Sequence, residues 1–234
     1  MTAAQLHLCQ VHVPTALGDS RWEACLSDDE RQRAGRYLVA EPRDQFVVGR
    51  GVLRHILGEA LDAAPQALDF RLGEHGKPEL GGAFAASGLH FNVSHSAEMV
   101  LIGWSTSGPV GVDVERVRPD AATDSICRRY FATREVEALF ALPEEERAAG
   151  FFRYWTRKEA YLKVHGSGLS FPLGDFAVSL GDDAALVWHR HEPAETRRWQ
   201  LTDVTAALER SGYAAAAICG RGAQLRWVPP PAPR

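Results

Sequence analysis

Two stretches of this chain follow one plan, and that repetition constrains the fold more than any other feature of the sequence. The first, Arg43 to Leu61, places Phe46, Val47, Leu53, Ile56, Leu57 and Leu61 on a broad apolar stripe at helical spacing, with Arg50 and Arg54 one turn apart on another face. The second, Glu146 to Val164, reads as an equally long helix ended at Gly166, since glycine readily takes the left-handed turn that closes a helix. A proline and a strand-like segment follow each helix, PQALDFRL from Pro65 to Leu72 and PLGDFAVSL from Pro172 to Leu180. The repeat predicts a chain of two similar helix-and-strand halves, alike in order and barely alike in identity.

Ser105-Thr106-Ser107-Gly108-Pro109 is small, turn-forming and set between strand-like runs, so it marks the boundary. The expected units are an α+β half at 1–107, a second at 108–228, and a Pro-rich tail at 229–234 that should be extended or disordered. In the first half, Gln5 to Val13 opens as a strand, and Ser27 with Glu30 three residues later has capping-box spacing for a helix that carries Arg31, Arg33 and Arg36. Leu89 to Val93 and Glu98 to Trp104 predict a hairpin entered through Ser94-His95-Ser96, after a GEHGKPEL turn. In the second half, Val110 to Val114 is a strand, Ile126 to Phe131 and Arg134 to Leu142 are helical, and Trp199 to Val204 and Tyr213 to Cys219 are later strands.

With 45% hydrophobic and 24% charged residues over 234 positions, the chain can bury a core. A formal charge of −4 argues against a surface built for nucleic acid, so any anionic ligand must be met locally. There is no apolar run of about 18 residues to span a membrane and no basic, apolar leader, and the four cysteines are dispersed. A cytoplasmic protein in a reducing compartment is expected.

Gly111-Val112-Asp113-Val114-Glu115 alternates with period two, which puts Asp113 and Glu115 on one face. Alone this reads as a solvated strand face or as ligands for a hard cation such as Mg2+. On the second long helix Glu159 and Lys163 are i,i+4 neighbours, either a surface ion pair or, in so aromatic a helix, charges that need a partner. The two glycines of Gly166-Ser167-Gly168-Leu169 suit a close-approaching ligand or a plain loop. Phe91-Asn92-Val93-Ser94-His95-Ser96 ends an apolar strand with an imidazole between hydroxyls, fit to meet a phosphate or to cap a turn. Arg33, Arg50 and Arg54 are surface charges or phosphate forks. Only three of the 26 basic residues are lysines, Lys77, Lys158 and Lys163, and all three fall in these segments.

Taken together, GKP, FNVSHS, GVDVE and FRYWTRKEAYLKVHGSGL, in this order and spacing from about Leu26 to Leu173, resemble the 4'-phosphopantetheinyl transferases of the large surfactin-synthetase-activating type. That resemblance implies a pseudo-two-fold α+β fold, each half a long helix packed on a small antiparallel sheet, with the active site between the halves. It implies coenzyme A as substrate, a serine of an apo acyl or peptidyl carrier protein as acceptor, and adenosine 3',5'-bisphosphate as product. Carried over by position, Asp113, Glu115 and Glu159 look like the Mg2+ site, with Mn2+ as a substitute. Glu159 looks like the base and Lys163 like the cation that stabilises the leaving phosphate. Arg33, Arg50, Lys77, Ser94, His95, Asp113, Lys158 and Lys163 match positions around coenzyme A. Glu30 departs from relatives with a basic residue there, a role that Arg31 or Arg36 could take.

Ile126 to Phe131 with Arg134 offers a mixed basic and apolar surface for a carrier, and is equally a plain amphipathic helix. Because both halves of the site are supplied in cis, a monomer is expected. The competing enzyme class is a Mg2+-dependent hydrolase of coenzyme A or a related pyrophosphate, since the same carboxylates and lysine would serve water as nucleophile. A noncatalytic binding module is the remaining alternative.

Overall fold

The computed structural model describes residues 4–73, 76–121, 123–166 and 171–232. Along the chain, β1 (Gln5–His12) leads through the single turns α1 (Val13–Ala16) and α2 (Arg21–Ala24) to α3 (Asp28–Gly35) and the long α4 (Ala40–Leu61). A short ribbon of β2 (Phe70–Leu72) and β3 (Pro78–Leu80) precedes the hairpin of β4 (His90–Ser96) and β5 (Met99–Ser105). The second half opens on β6 (Gly111–Arg116), passes through α5 (Asp124–Tyr130) and α6 (Thr133–Phe140), and reaches the long α7 (Glu144–His165). Then come β7 (Phe176–Val178), β8 (Leu186–His189), α8 (Glu195–Arg198), β9 (Trp199–Asp203), β10 (Tyr213–Gly220) and β11 (Gln224–Trp227).

Apolar periodicity assigns each long helix to a sheet. Val48, Val52 and Ile56 of α4 pack with Val100 and Ile102 on the sheet ordered β11-β1-β5-β4. Phe152, Tyr161 and Leu162 of α7 pack with Ala214, Ala216 and Ile218 on the antiparallel sheet β6-β10-β9. The remaining faces close on each other, where Leu6, Leu8, Met99 and Leu101 meet Val112, Val114, Ala215 and Ala217. Strand β5 is therefore buried along its whole length, with a core on each side.

The repeat seen in the sequence is a repeat in structure: each long helix is followed by a single 3-10 turn, Pro65–Ala67 or Leu173–Asp175, and a short strand. Ser27 closes the expected capping box, its hydroxyl accepting from Glu30 N at 3.3 Å while the Glu30 carboxylate accepts from Ser27 N at 3.0 Å. Gly166 ends α7 with φ 68°, as a left-handed cap requires. Ser167 to Leu169 and the Glu74-His75 part of the GEHGKP turn lie outside the described residues.

Three expectations need correction. Ser94-His95-Ser96 is not the hairpin turn but the end of β4; the turn is Ala97-Glu98, with Ala97 at φ 48°. Alanine carries no turn signature, so this turn was illegible. Arg50 and Arg54 are not surface charges; both side chains are largely buried against Glu30. The sheet of the first half is not wholly antiparallel either, because β11 runs parallel to β1 and completes it. Beyond it the Pro-rich tail is held by Arg21, whose guanidinium donates to the carbonyls of Pro231 at 3.3 Å and Ala232 at 2.8 Å.

Strand β6 lies directly against α7, and Gly111 permits it: a Cβ there would overlap the Ala160 carbonyl oxygen and crowd Val164 N. Both obstacles are helix backbone and cannot turn aside. Gly111→Ala should therefore cost about 3 kcal/mol of stability, read as a lowered denaturant midpoint with an unchanged slope.

Candidate active site

Strands β4 and β6 approach edge to edge without pairing through their main chains. Side chains of β4 stand in for the missing carbonyls: Asn92 Oδ1 accepts from Val112 N at 2.9 Å, Ser94 Oγ from Val114 N at 3.3 Å, and Ser96 Oγ from Arg116 N at 3.1 Å. The same hydroxyls donate to carboxylates, Ser94 to Asp113 Oδ1 at 2.8 Å and Ser96 to Glu115 Oε2 at 2.6 Å. From α7, Lys163 Nζ completes the group, 2.6 Å from Asp113 Oδ1 and 2.9 Å from Ser94 Oγ. One turn earlier on α7 lies Glu159. The structure thus brings together Ser94, Asp113, Glu115, Glu159 and Lys163 along the seam between the halves.

Electrostatics there are unbalanced. Burial, then the charges of Asp113 and Glu115, push the Glu159 carboxyl up to about 7, against the pull of Lys163. Burial also raises Glu115, against the hydrogen bond from Ser96. Asp113 Oδ2 and Glu159 Oε1 are buried and have no hydrogen-bond partner among the described residues. Carboxylate oxygens left bare in a crowded acidic cluster suit a divalent cation, and oxygen-only donors suit Mg2+, which takes one or two carboxylates and fills its shell from water and phosphate. Among the described residues no group of three or more His, Cys, Asp or Glu side chains is placed to hold a metal ion by itself. The donor set fits a cation that is shared with a phosphate ligand.

Next to this cluster, Arg33, Arg50 and His95 line a cavity of about 280 Å³ with Phe46, Pro78 and Val93. The Arg33 guanidinium lies 4.7 Å from the Phe46 ring centre, and Arg50 lies 4.7 Å from that of Phe70. Arg50 Nη1 is buried with no partner among the described residues, a donor fit for an anion. Burial, followed by Lys163 and Arg33, lowers His95. Lys77 lines a neighbouring cavity of about 510 Å³ with His90 and His165, and its ammonium donates to the Lys163 carbonyl at 2.5 Å. Burial and Lys163 bring it down to about 8.

Two expectations about charged residues change. Lys158 does not face the seam; its ammonium is buried in the second-half core, donating to Glu135 Oε2 at 2.6 Å and the Phe176 carbonyl at 2.7 Å. Glu30 is a clamp: besides capping α3 it accepts from Arg54 Nε at 2.7 Å and lies 3.4 Å from Arg50 Nε. Arg31 is paired with Asp28 and Arg36 is exposed at the end of α3. In the segment considered for carrier docking, Cys127 and Phe131 face the core and Ile126 is exposed. Sequence reasoning missed Asn92, Ser96 and Phe46. The polar positions of FNVSHS alternate in step with those of GVDVE, which was the available signal for the first two.

A family model described as "4'-phosphopantetheinyl transferase, N-terminal" matches residues 16–107, and one described as "4'-phosphopantetheinyl transferase superfamily" matches residues 109–218. The chain is 39% identical over 207 residues to the 4'-phosphopantetheinyl transferase HetI of Nostoc sp., covering 87% of this chain and 83% of that one. It is 36% identical to the putative 4'-phosphopantetheinyl transferase slr0495 of Synechocystis sp., covering 85% and 78%. To the 4'-phosphopantetheinyl transferase Sfp of Bacillus subtilis it is 29% identical, covering 70% and 71%.

The raised Glu159 has a measurable sign. Its carboxyl holds a proton in the folded, metal-free protein up to about pH 7, whereas an ordinary glutamate releases it near 4.5, so the folded state binds more protons across that window. Stability of the metal-free protein should therefore fall as pH rises from about 4.5 to 7. Thermal melts in EDTA should show Glu159→Gln matching the parent at pH 4.5 and exceeding it at pH 8.

Proposed function

The chain belongs to the 4'-phosphopantetheinyl transferase superfamily and is a 4'-phosphopantetheinyl transferase, and from that premise we propose its substrates, metal and residue roles. The phosphopantetheine group comes from coenzyme A, the acceptor is a serine hydroxyl of an apo acyl or peptidyl carrier protein, and the product released is adenosine 3',5'-bisphosphate. One observation carries this reading: the bare oxygens of Asp113 and Glu159 lie in the same cluster as Lys163, at a seam to which both halves contribute.

Asp113, Glu115 and Glu159 are the residues to hold Mg2+, or Mn2+ in its place. A cation bound there supplies neutralisation of the pyrophosphate charge. The reaction joins the serine oxygen to the phosphorus that bears pantetheine and breaks that phosphorus's bond to the oxygen bridging to adenosine bisphosphate. An ammonium has three protons, and among the described residues Lys163 uses two, on Asp113 and Ser94, which leaves the third to stabilise the departing phosphate oxygen. Glu159 lies in this cluster as the carboxylate that takes the serine proton. Arg33, Arg50 and His95 bind the 3'-phosphate end, with Arg50 Nη1 gaining the partner it lacks. Lys77 contributes from the adjoining cavity.

Since each half supplies part of the site in cis, the protein acts as a monomer, and the absence among the described residues of a helix long and apolar enough to cross a membrane accords with work in the cytoplasm. Hydrolysis of coenzyme A is not favoured, because the relatives bear transferase names.

Incubation with coenzyme A, Mg2+ and a panel of apo-carrier proteins should add one phosphopantetheine mass to a carrier, and none to that carrier with its serine changed to alanine. Glu159→Gln should slow the gain roughly 10³-fold. Coenzyme A consumed while no carrier gains mass would replace this reading with hydrolysis.

A further inference from the structure

The carboxylates of the seam are not held equally. Asp113 is fixed on Oδ1 by both Ser94 and Lys163, whereas the one hydrogen bond to the Glu115 side chain among the described residues comes from Ser96. At 2.6 Å it is a short bond to a charged acceptor, of the stronger kind. Glu115 stands near the end of β6 on a longer side chain than Asp113, so without Ser96 its rotamers are open.

Ser96 is itself unable to turn away. Its Oγ accepts from Arg116 N at 3.1 Å, which takes a lone pair and directs the single hydroxyl proton toward Glu115. The three rungs of the seam differ in a telling way. All three accept a β6 amide proton, but Asn92 offers no bond to a carboxylate, while Ser94 and Ser96 each donate to the acidic residue one position before the amide they accept from. A hydroxyl is the smallest group that can accept and donate at once.

We propose that Ser96 is a positioning residue for the metal site: its hydroxyl, supplied by the first half, holds Glu115 Oε2 and leaves Oε1 as the oxygen for the cation. This rests on the reading of Asp113, Glu115 and Glu159 as that site. Ser96 needs no contact with coenzyme A or with the reacting atoms.

The test is Mn2+ binding to the full chain with coenzyme A present, followed by the electron paramagnetic resonance signal of free Mn2+. Ser96→Ala should weaken Mn2+ binding about 10-fold, the scale of one lost hydrogen bond to a charged group. Ser96→Thr, which keeps the hydroxyl on a strand-compatible side chain, should return affinity to within about 3-fold of the parent. Equal weakening in both would show that the hydroxyl is not the cause and overturn the proposal. Parent-like Mn2+ binding by Ser96→Ala, while Glu115→Gln loses it, would overturn the positioning role and leave the site in place. Parent-like binding by Glu115→Gln would overturn the metal-site reading itself.

Discussion

Where two strand edges meet through side chains instead of main chains, each strand keeps a row of backbone amides that something else must satisfy. For the β6 edge Asn92, Ser94 and Ser96 of β4 do so, and the rest of the site follows from their choice. The rungs place hydroxyls beside Asp113 and Glu115, which turns a solved hydrogen-bonding problem into a way of orienting carboxylates. Gly111 adds the second condition by letting α7 close on β6, so that Glu159 and Lys163 reach the same line.

Burying like charges together is unfavourable, and this seam does so with a single lysine among three carboxylates. The cost is visible in Glu159, held near neutrality, and in oxygens without partners. The cluster therefore carries negative charge in excess of its one lysine, at most two units. On the first-half side the balance is reversed. Glu30 partly neutralises Arg50 and Arg54, yet Arg50 Nη1 has no partner among the described residues.

Much of this arrangement was legible because its periodicities are simple. Two long apolar stripes located α4 and α7, the capping box located α3, and the alternation of GVDVE put Asp113 and Glu115 on one face. The lysines were informative as well: Lys77, Lys158 and Lys163 each place an ammonium in a specific hydrogen bond, where a compact three-donor head differs from a planar guanidinium. Other features depended on long-range pairing that no local pattern encodes. That Lys158 would turn to Glu135, 23 positions away, while its neighbour Glu159 joins the seam is decided by α6 packing on α7. The left-handed Ala97 and the return of β11 to β1 are likewise products of tertiary context.

That return has a consequence for how the chain comes into being. On the ribosome β1 is made before β4 and β5, but its parallel partner β11 follows only after β6 to β10. Until then β1 carries an open edge, a template to which another nascent chain could add. The first sheet to be synthesised is thus the last to be completed, and the strand that finishes it ties the second half to the first.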